Sequence, residues 1–338
     1  MAARREVPLS VSPVRKAGLI MTLPLPAALK RRIRPLPQWP PIALREPQEA
    51  VQVRLSAARG EFDVTRTAVV AALRPLTLAV GLDASLMSAI ETRSQPKLHF
   101  VDLESRRTVG MLQLQHVRNW NTSGAAIGLF EVRGGTHRCV RWPYRAWNRW
   151  LQDRRQRKNT DPNNFFMPPD AVQQQMIFYI CPRPVVLVSV DDGSHSNLFP
   201  MDLIGPVSSE RFTLALRSTS PSIATMKSAR RVALSDVPAR EYATAYKLGI
   251  HHKNAMVDWD HLPFEIRQSR IFSLPYPAIA LRVREVEILD FDTIGSHTFF
   301  VSRIASEVSA GDDAQFFHTS GIYQHFRSCN GRSFPPAS

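Results

Sequence analysis

The stretch from Cys181 to Pro238 constrains this chain most. Two apolar, β-branched runs, Val185–Val190 and Phe212–Leu216, flank a turn built from Asp191-Asp192-Gly193-Ser194. Between the turn and the second run lies Asn197–Ser208, a segment with little charge and two prolines. A helical pattern at Ser222–Ser228 then leads into a third apolar patch, Val232–Leu234. Strand, turn, polar-lined edge, strand, helix and strand, in that order, build one wall of a barrel with a ligand slot at its rim.

The rest of the chain is read around that wall. It has 338 residues, 44% of them hydrophobic, enough for two ordinary domains with cores. No run of 18 apolar residues predicts a membrane helix. Cys139, Cys181 and Cys329 lie far apart and form no CxxC pair, which argues against a disulfide framework or zinc site and fits a reducing, cytoplasmic setting. The net charge of +14 is uneven. Residues 1–47 hold nine basic residues against Glu6 and Glu46, so 9 − 2 = +7 lies in a segment dense in proline. That segment reads as a disordered, solvated arm, in which Met21 offers an alternative start. Two prolines inside Ala17–Leu29, and no small-residue cleavage site after it, argue against a signal peptide.

From Val51 the pattern is globular. Val51–Leu55, Leu76–Val80, Leu98–Leu103, Thr108–Val117 and Ala126–Val132 read as strands, with Arg106-Arg107 and Gly134-Gly135 at turns. Val64–Leu73 reads as a helix capped by Asp63. Together these predict an α+β accessory domain of antiparallel strands over 48–160. Pro143 opens a helix over Tyr144–Arg157, with Trp147, Trp150 and Leu151 packed and the arginines solvated. A basic, tryptophan-bearing helix of this kind can also bind nucleic acid or an anionic membrane surface. The polar break at Lys158–Asn164 marks the domain boundary. Beyond it Ala171–Ile180, capped by Asp170, is expected to pack Val172, Met176, Ile177 and Ile180 on a barrel over 161–330, followed by a tail at 331–338. No internal repeat is visible.

Particular residues in this second half resemble a known family. Pro-x-Pro-Val-x-Leu-Val-x-Val (Pro182–Val190), the Asp-Gly turn, Asn197 and the pair Val207-Ser208 resemble the opening of flavin reductase-like domains. Gly295-Ser296-His297-Thr298-Phe299-Phe300-Val301, then Phe317-His318 and Gly321-Ile322-Tyr323, resemble that family's closing strands. The resemblance covers about 161–327. It implies a six-stranded Greek-key split β-barrel with flanking helices, and FMN held at the seam of a homodimer. FAD is the second choice of flavin, NAD(P)H is the electron donor, and a flavin-dependent oxygenase is a candidate partner.

Carried over residue by residue, the flavin ring falls on Asn197, Pro200, Met201, Asp202 and Leu203. The phosphate falls on Arg217, Ser218, Thr219, Ser220 and Ser222, the last at the head of a helix whose N-terminus favours an anion. Ser235 aligns with a strand-end asparagine, and Tyr323 either closes the slot or packs at a dimer contact. His297 stands as the catalytic candidate or as a hydrogen-bonded wall residue. The chain departs from the family pattern at Pro200, Asp202 and Leu203, where threonine and two serines are usual. An Asp beside a phosphate dianion is unfavourable, so Asp202 either points elsewhere, touches the ring edge, or weakens binding. His251-His252-Lys253 and Asp258-Trp259-Asp260-His261 have poor metal-ligand spacing and read as a loop covering the cofactor. No P-loop, Rossmann glycine fingerprint or nucleophile elbow is present. The function expected is NAD(P)H-dependent flavin reduction. The alternative is a non-catalytic module that binds flavin, or nucleic acid and anionic surfaces through its basic arm.

Overall fold

The computed structural model describes residues 36–338 apart from 47–49, 59, 84–85, 87–89, 91–94, 123–124 and 159–166. In chain order the first half contains β1 (Pro41–Leu44), β2 (Val51–Ala57), β3 (Gly60–Asp63), β4 (Ala68–Leu73), β5 (Leu76–Leu82), β6 (Lys97–Asp102), β7 (Arg107–Thr122), β8 (Ala125–His137), α1 (Trp142–Lys158) and α2 (Pro169–Phe178). The second half contains β9 (Arg183–Pro184), β10 (Val186–Asp191), β11 (Ser196–Met201), β12 (Ile204–Pro206), β13 (Arg211–Arg217), α3 (Ser222–Ala229), β14 (Arg231–Asp236), α4 (Tyr242–Leu248), β15 (Ile266–Gln268), β16 (Pro275–Pro277), β17 (Arg282–Ile294), β18 (His297–Ser309), β19 (Gln315–His318) and α5 (Gly321–Cys329).

Two seven-stranded antiparallel sheets dominate. The first runs β3-β2-β6-β7-β8-β5-β4 and the second β11-β10-β14-β17-β18-β13-β12. Counted from the first strand of each, both have the order 2-1-5-6-7-4-3. The chain is therefore a topological duplication, which sequence reading misses. Its trace is Leu76-Thr77-Leu78-Ala79-Val80 on β5 against Phe212-Thr213-Leu214-Ala215-Leu216 on β13, two fourth strands. A backbone bond also runs from the Ile90 N–H to the Leu86 carbonyl after β5, where α3 follows β13.

The second sheet is the expected barrel wall, with seven strands where six were predicted. It curls around one core to which every strand contributes, among them Val186, Val188, Phe199, Ile204, Leu214, Leu234, Val286 and Phe300. Period-two burial explains it: along β10 and β14 alternate side chains turn inward and the others meet α4, β16 and the loops.

Five further expectations change. Residues 64–73 are no helix: Val64–Thr67 form a turn and Ala68–Leu73 is β4. Ala68, Val69, Val70, Ala71 and Ala72 are all buried because β4 is covered on both faces, and such a continuous apolar run carries no period to separate strand from helix. Gly134 and Gly135 lie within β8, not at a turn; a Cβ at Gly135 would sit 2.9 Å from Ile177 Cδ1 and one at Gly110 would sit 2.5 Å from Ile180 Cδ1. Those glycines let α2 lie close on the first sheet, so α2 packs there and not on the second barrel. Within the basic arm, Pro41–Leu44 is ordered: β1 pairs with β19, and Ile42 is fully buried. Proline at its first position is tolerated in an edge strand. Finally, Trp142, Trp147 and Trp150 on α1 are 70%, 38% and 47% exposed, so its tryptophans are not packed away. The predicted boundary at Lys158–Asn164 lies almost wholly outside the described residues.

The two sheets meet along β4 and β12. A Cβ at Gly81 would lie 1.7 Å from the Val207 carbonyl oxygen, and one at Gly205 would lie 2.4 Å from Val69 Cγ1. The long hairpins also touch: Trp120 Nε1 donates to Asp290 Oδ2 at 2.8 Å, and Arg118 pairs with Asp292. One apolar cluster runs through the seam, joining Val69 and Leu78 to Leu203, Val207, Phe299 and Val301. Each buried side chain of that size contributes about 1.5–3 kcal/mol, so the halves hold one another rather than sit side by side.

Candidate functional site

The candidate site lies where β13 runs into α3. Arg217 ends the strand; Ser220 N–H donates back to its carbonyl at 2.8 Å, making the tight turn that Ser, Thr and Pro at these positions favour. The turn is anchored to the β17–β18 corner, where Ser218 N–H donates to the Ser296 carbonyl at 3.1 Å and the Ser218 and Thr298 hydroxyls lie 3.2 Å apart. Ser218 and Thr219 are exposed and Arg217 half-buried, so a cationic and two hydroxyl-bearing residues lie at the head of α3, the Ser218 hydroxyl against buried Thr298. Burial lowers the Arg217 pKa without discharging it.

Ser220 and Ser222 are used internally. Asn197 Nδ2 donates to Ser222 Oγ at 2.9 Å and to the carbonyls of His251 at 3.0 Å and Asn254 at 2.8 Å. Ser220 Oγ donates to the His252 carbonyl at 3.3 Å. Asn197 is thus a buried clasp that fastens the 249–254 loop over β11. The histidines of that loop bond β11 as well: a ring nitrogen of His251 lies 2.8 Å from the Leu198 carbonyl, and one of His252 2.7 Å from that of Pro200. Among the described residues no cluster of His, Cys, Asp or Glu is arranged to hold a metal.

Asp202 is engaged by other side chains. It accepts from His318 Nδ1 at 2.8 Å, while His318 Nε2 lies 2.9 Å from the Tyr246 hydroxyl. Burial would raise the Asp202 carboxyl, but hydrogen bonds from His318 and Tyr179 and the nearby imidazole bring it below its ordinary value. Carboxylate, imidazole and phenol form a chain that can hold or move a proton at Tyr246 Oη, whose pKa is pushed up to about 12 chiefly by burial. His318 and Tyr246 were not assigned roles from sequence, and His252 only a place in a loop over the cofactor. The one signal was His318 at the end of a closing strand, and nothing local shows that β19 carries it to Asp202.

The remaining predicted residues spread out. Met201 points into the second barrel's core and Leu203 into the seam. Ser235, 1% exposed, lies on β14 opposite Leu187 and Val283. Tyr323 is fully buried on α5 and donates to Asp102 Oδ2 at 2.7 Å, so it neither closes the slot nor meets a second copy. His297 is 3% exposed: its Nδ1 lies 2.9 Å from Ser296 Oγ and 3.4 Å from the Leu73 nitrogen, with β4 as its roof. Burial and the charge of Arg217 lower its pKa to about 4, so it is neutral at pH 7.

Among the described residues, the matching strand end of the first half has none of this. Gly81-Leu82-Asp83 offers neither cation nor hydroxyl, and Asp83 Oδ1 accepts from Leu86 N–H at 2.7 Å.

No protein-family model matches the sequence, and none of the curated proteins is similar to it. Among solved structures, similarity falls on flavin reductases and FMN-binding split-barrel proteins, over the C-terminal part of the chain. An FMN-binding protein from Thermus thermophilus is 22% identical over 38% of this chain and 73% of its own, with a TM-score of 0.35. The NADH:FAD oxidoreductase SgcE6 of Streptomyces globisporus is 19% identical over 48% and 95%, with a TM-score of 0.40. BorF, the flavin reductase component of a bacterial two-component tryptophan halogenase, is 15% identical over 45% and 99%, with a TM-score of 0.38. At this depth the likeness carries no weight of its own; the fold rests on the strand order above.

Proposed function

We propose that this chain is a flavin-dependent oxidoreductase that binds FMN, with FAD as the second choice, and takes reducing equivalents from NAD(P)H. The observation that supports it is the outward-facing Arg217-Ser218-Thr219 turn at the head of α3, with Asp202 turned aside to His318. A phosphate dianion there gains a cation, two hydroxyls and a helix N-terminus, and the carboxylate that sequence reading set beside it is engaged elsewhere. Ser220 and Ser222 then shape the turn, and Asn197 holds the loop above it. Bound flavin would supply the redox chemistry, accepting a hydride and passing electrons on. His297, neutral and enclosed, positions the β17–β18 corner against β4. His318 and Tyr246 hold the proton nearest Asp202.

The pairing of two barrels that the resemblance implies for a homodimer is supplied here by the two halves of one chain. A flavin-dependent oxygenase would be the consumer of reduced flavin. Three free cysteines fit a reducing compartment such as the cytoplasm, and among the described residues no helix is long and apolar enough to cross a membrane.

The test is titration with FMN and FAD, then NADH and NADPH oxidation with the better flavin. Saturable binding with flavin-dependent oxidation supports the proposal, and absence of binding to either flavin sinks it. A second reading rests on α1. Trp147 and Trp150 stack at 5.0 Å, Arg154 lies 5.4 Å over Trp150, and Arg155, Arg157 and Lys158 end the helix. An exposed aromatic and basic face of this kind suits single-stranded nucleic acid, which salt-sensitive retention on a DNA column would reveal.

A further inference from the structure

The helix α1 is built inside out. Its inward positions are polar: Asn148 and Gln152 are buried, Asn148 Oδ1 accepts from the Leu36 N–H at 3.0 Å, and Gln152 Nε2 lies 3.4 Å from Met176 Sδ on α2. Its outward positions hold the indoles, with Trp142, Trp147 and Trp150 all exposed. At about 100° per residue these three fall within roughly 140° of arc. A helix that packs on a globular core carries its apolar stripe the other way round. Three tryptophans turned outward leave apolar surface in water, and such a patch marks a surface that is covered in use.

Charge indicates what covers it. From Arg138 to Lys158 the chain carries seven arginines and one lysine against a single acid, Asp153. Two of the arginines are matched, Arg149 by Asp170 and Arg157 by Asp153. Arg138 and Arg141 are exposed ahead of the indoles, and Arg154, Arg155 and Lys158 are exposed behind them, so cations bracket the tryptophans at both ends. An anionic partner fits this face, and two such partners ask different things of an indole. A nucleobase stacks on the face of the ring. A headgroup layer takes the amphipathic ring body at the boundary of apolar and wet, with the stems of the arginines laid beside it. The Trp150 ring already has Trp147 stacked at 5.0 Å and the Arg154 guanidinium at 5.4 Å, so its faces are in part taken. A polar inner face, outward indoles and bracketing cations are the arrangement of a helix lying in the plane of an interface.

We propose that α1 docks this protein on an anionic lipid surface, lying flat with Trp142 and Trp150 in the headgroup layer and the arginines at its two ends on lipid phosphates. The docking is separate from the flavin reading and stands or falls without it. It gives α1 a bilayer as partner where the reading above gives it a strand of bases, and one experiment separates the two.

The experiment is co-sedimentation of the full chain with vesicles of phosphatidylcholine alone and of equal parts phosphatidylcholine and phosphatidylglycerol. The protein should pellet with the second and stay in solution with the first, and added salt should release it. Trp142→Ser combined with Trp150→Ser should weaken the binding at least about ten-fold, because both indoles leave the interface. Both positions are exposed, so the fold should be kept, which an unchanged urea midpoint checks. Anionic vesicles that carry brominated acyl chains should quench tryptophan emission in the unaltered protein, and much less in the double variant. Failure to pellet with anionic vesicles, or pelleting without quenching, overturns the proposal. So does pelleting that the double variant leaves unchanged, which would assign the binding to charge alone. Oligothymidylate that displaces the protein from the vesicles, and that the double variant binds as much more weakly, would give the face to nucleic acid. Self-association lost with the two tryptophans would give it to a second copy. Either result also overturns the proposal.

Discussion

The two seven-stranded sheets share a strand order and differ in what they expose. In the second, the fourth strand ends in Arg217-Ser218-Thr219, open and cationic; in the first it ends in Gly81-Leu82-Asp83, whose glycine presses on the Val207 backbone. One strand end is open to solvent and the other is given to packing.

The comparison can be broken hardest with acid. His137, in the first half, and His297, at the seam, are both held near pKa 4 by burial and by neighbouring arginines, below the ordinary 6.5. The unfolded chain therefore binds more protons between about pH 6.5 and 4. Stability is full above that window and falls as pH drops through it, by up to about 3 kcal/mol for each histidine. Urea unfolding from pH 7 to 4 should show this loss, and His297→Gln should remove the share that belongs to the seam. Next in size is Gly81→Ala. Its Cβ meets backbone, which cannot swing aside, and should cost about 3 kcal/mol; Gly205→Ala meets only a valine methyl and should cost less. Equal shifts in urea midpoint would mean that the seam is softer than its geometry.

Tyr323→Phe cuts the bond from α5 to Asp102 on the first sheet and leaves a carboxylate that is 1% exposed short of a donor. A loss of about 1–3 kcal/mol is expected by thermal or urea unfolding. The smallest effects sharpen the contrast between turns. Arg217→Met or Ser218→Ala should weaken FMN about three- to ten-fold by fluorescence titration, whereas Asp83→Ala should leave FMN affinity unchanged. If Asp83→Ala weakened FMN as much, the assignment of the ligand to one turn would fail.

The segment from Val185 to Leu234 was legible because turns carrying Asp, Gly, Ser and Pro separate its short apolar runs, signals that act within a few residues. β4 was not, because burial on both faces leaves it no alternation and its alanines carry no strand signal of their own. The tryptophans of α1 misled for a related reason: their spacing gives them one side of a helix, but whether another element covers that side is decided elsewhere. The turn at Arg217–Ser222 was located from sequence, and yet the division of labour inside it was not. Only the fold shows that Asn197 takes Ser222, or that β19 brings His318 to Asp202. The duplication escaped notice because what repeats is the order of hydrogen-bonded neighbours, and many sequences satisfy one order.

The seam between β4 and β12 also sets an arithmetic. Where two identical chains pair, any codon change appears at both of their pockets, and ligand is counted one per chain. Here the codons for Gly81-Leu82-Asp83 and Arg217-Ser218-Thr219 are inherited separately, so either turn can be rewritten without touching the other. Saturation should accordingly be reached at one flavin for every two barrels.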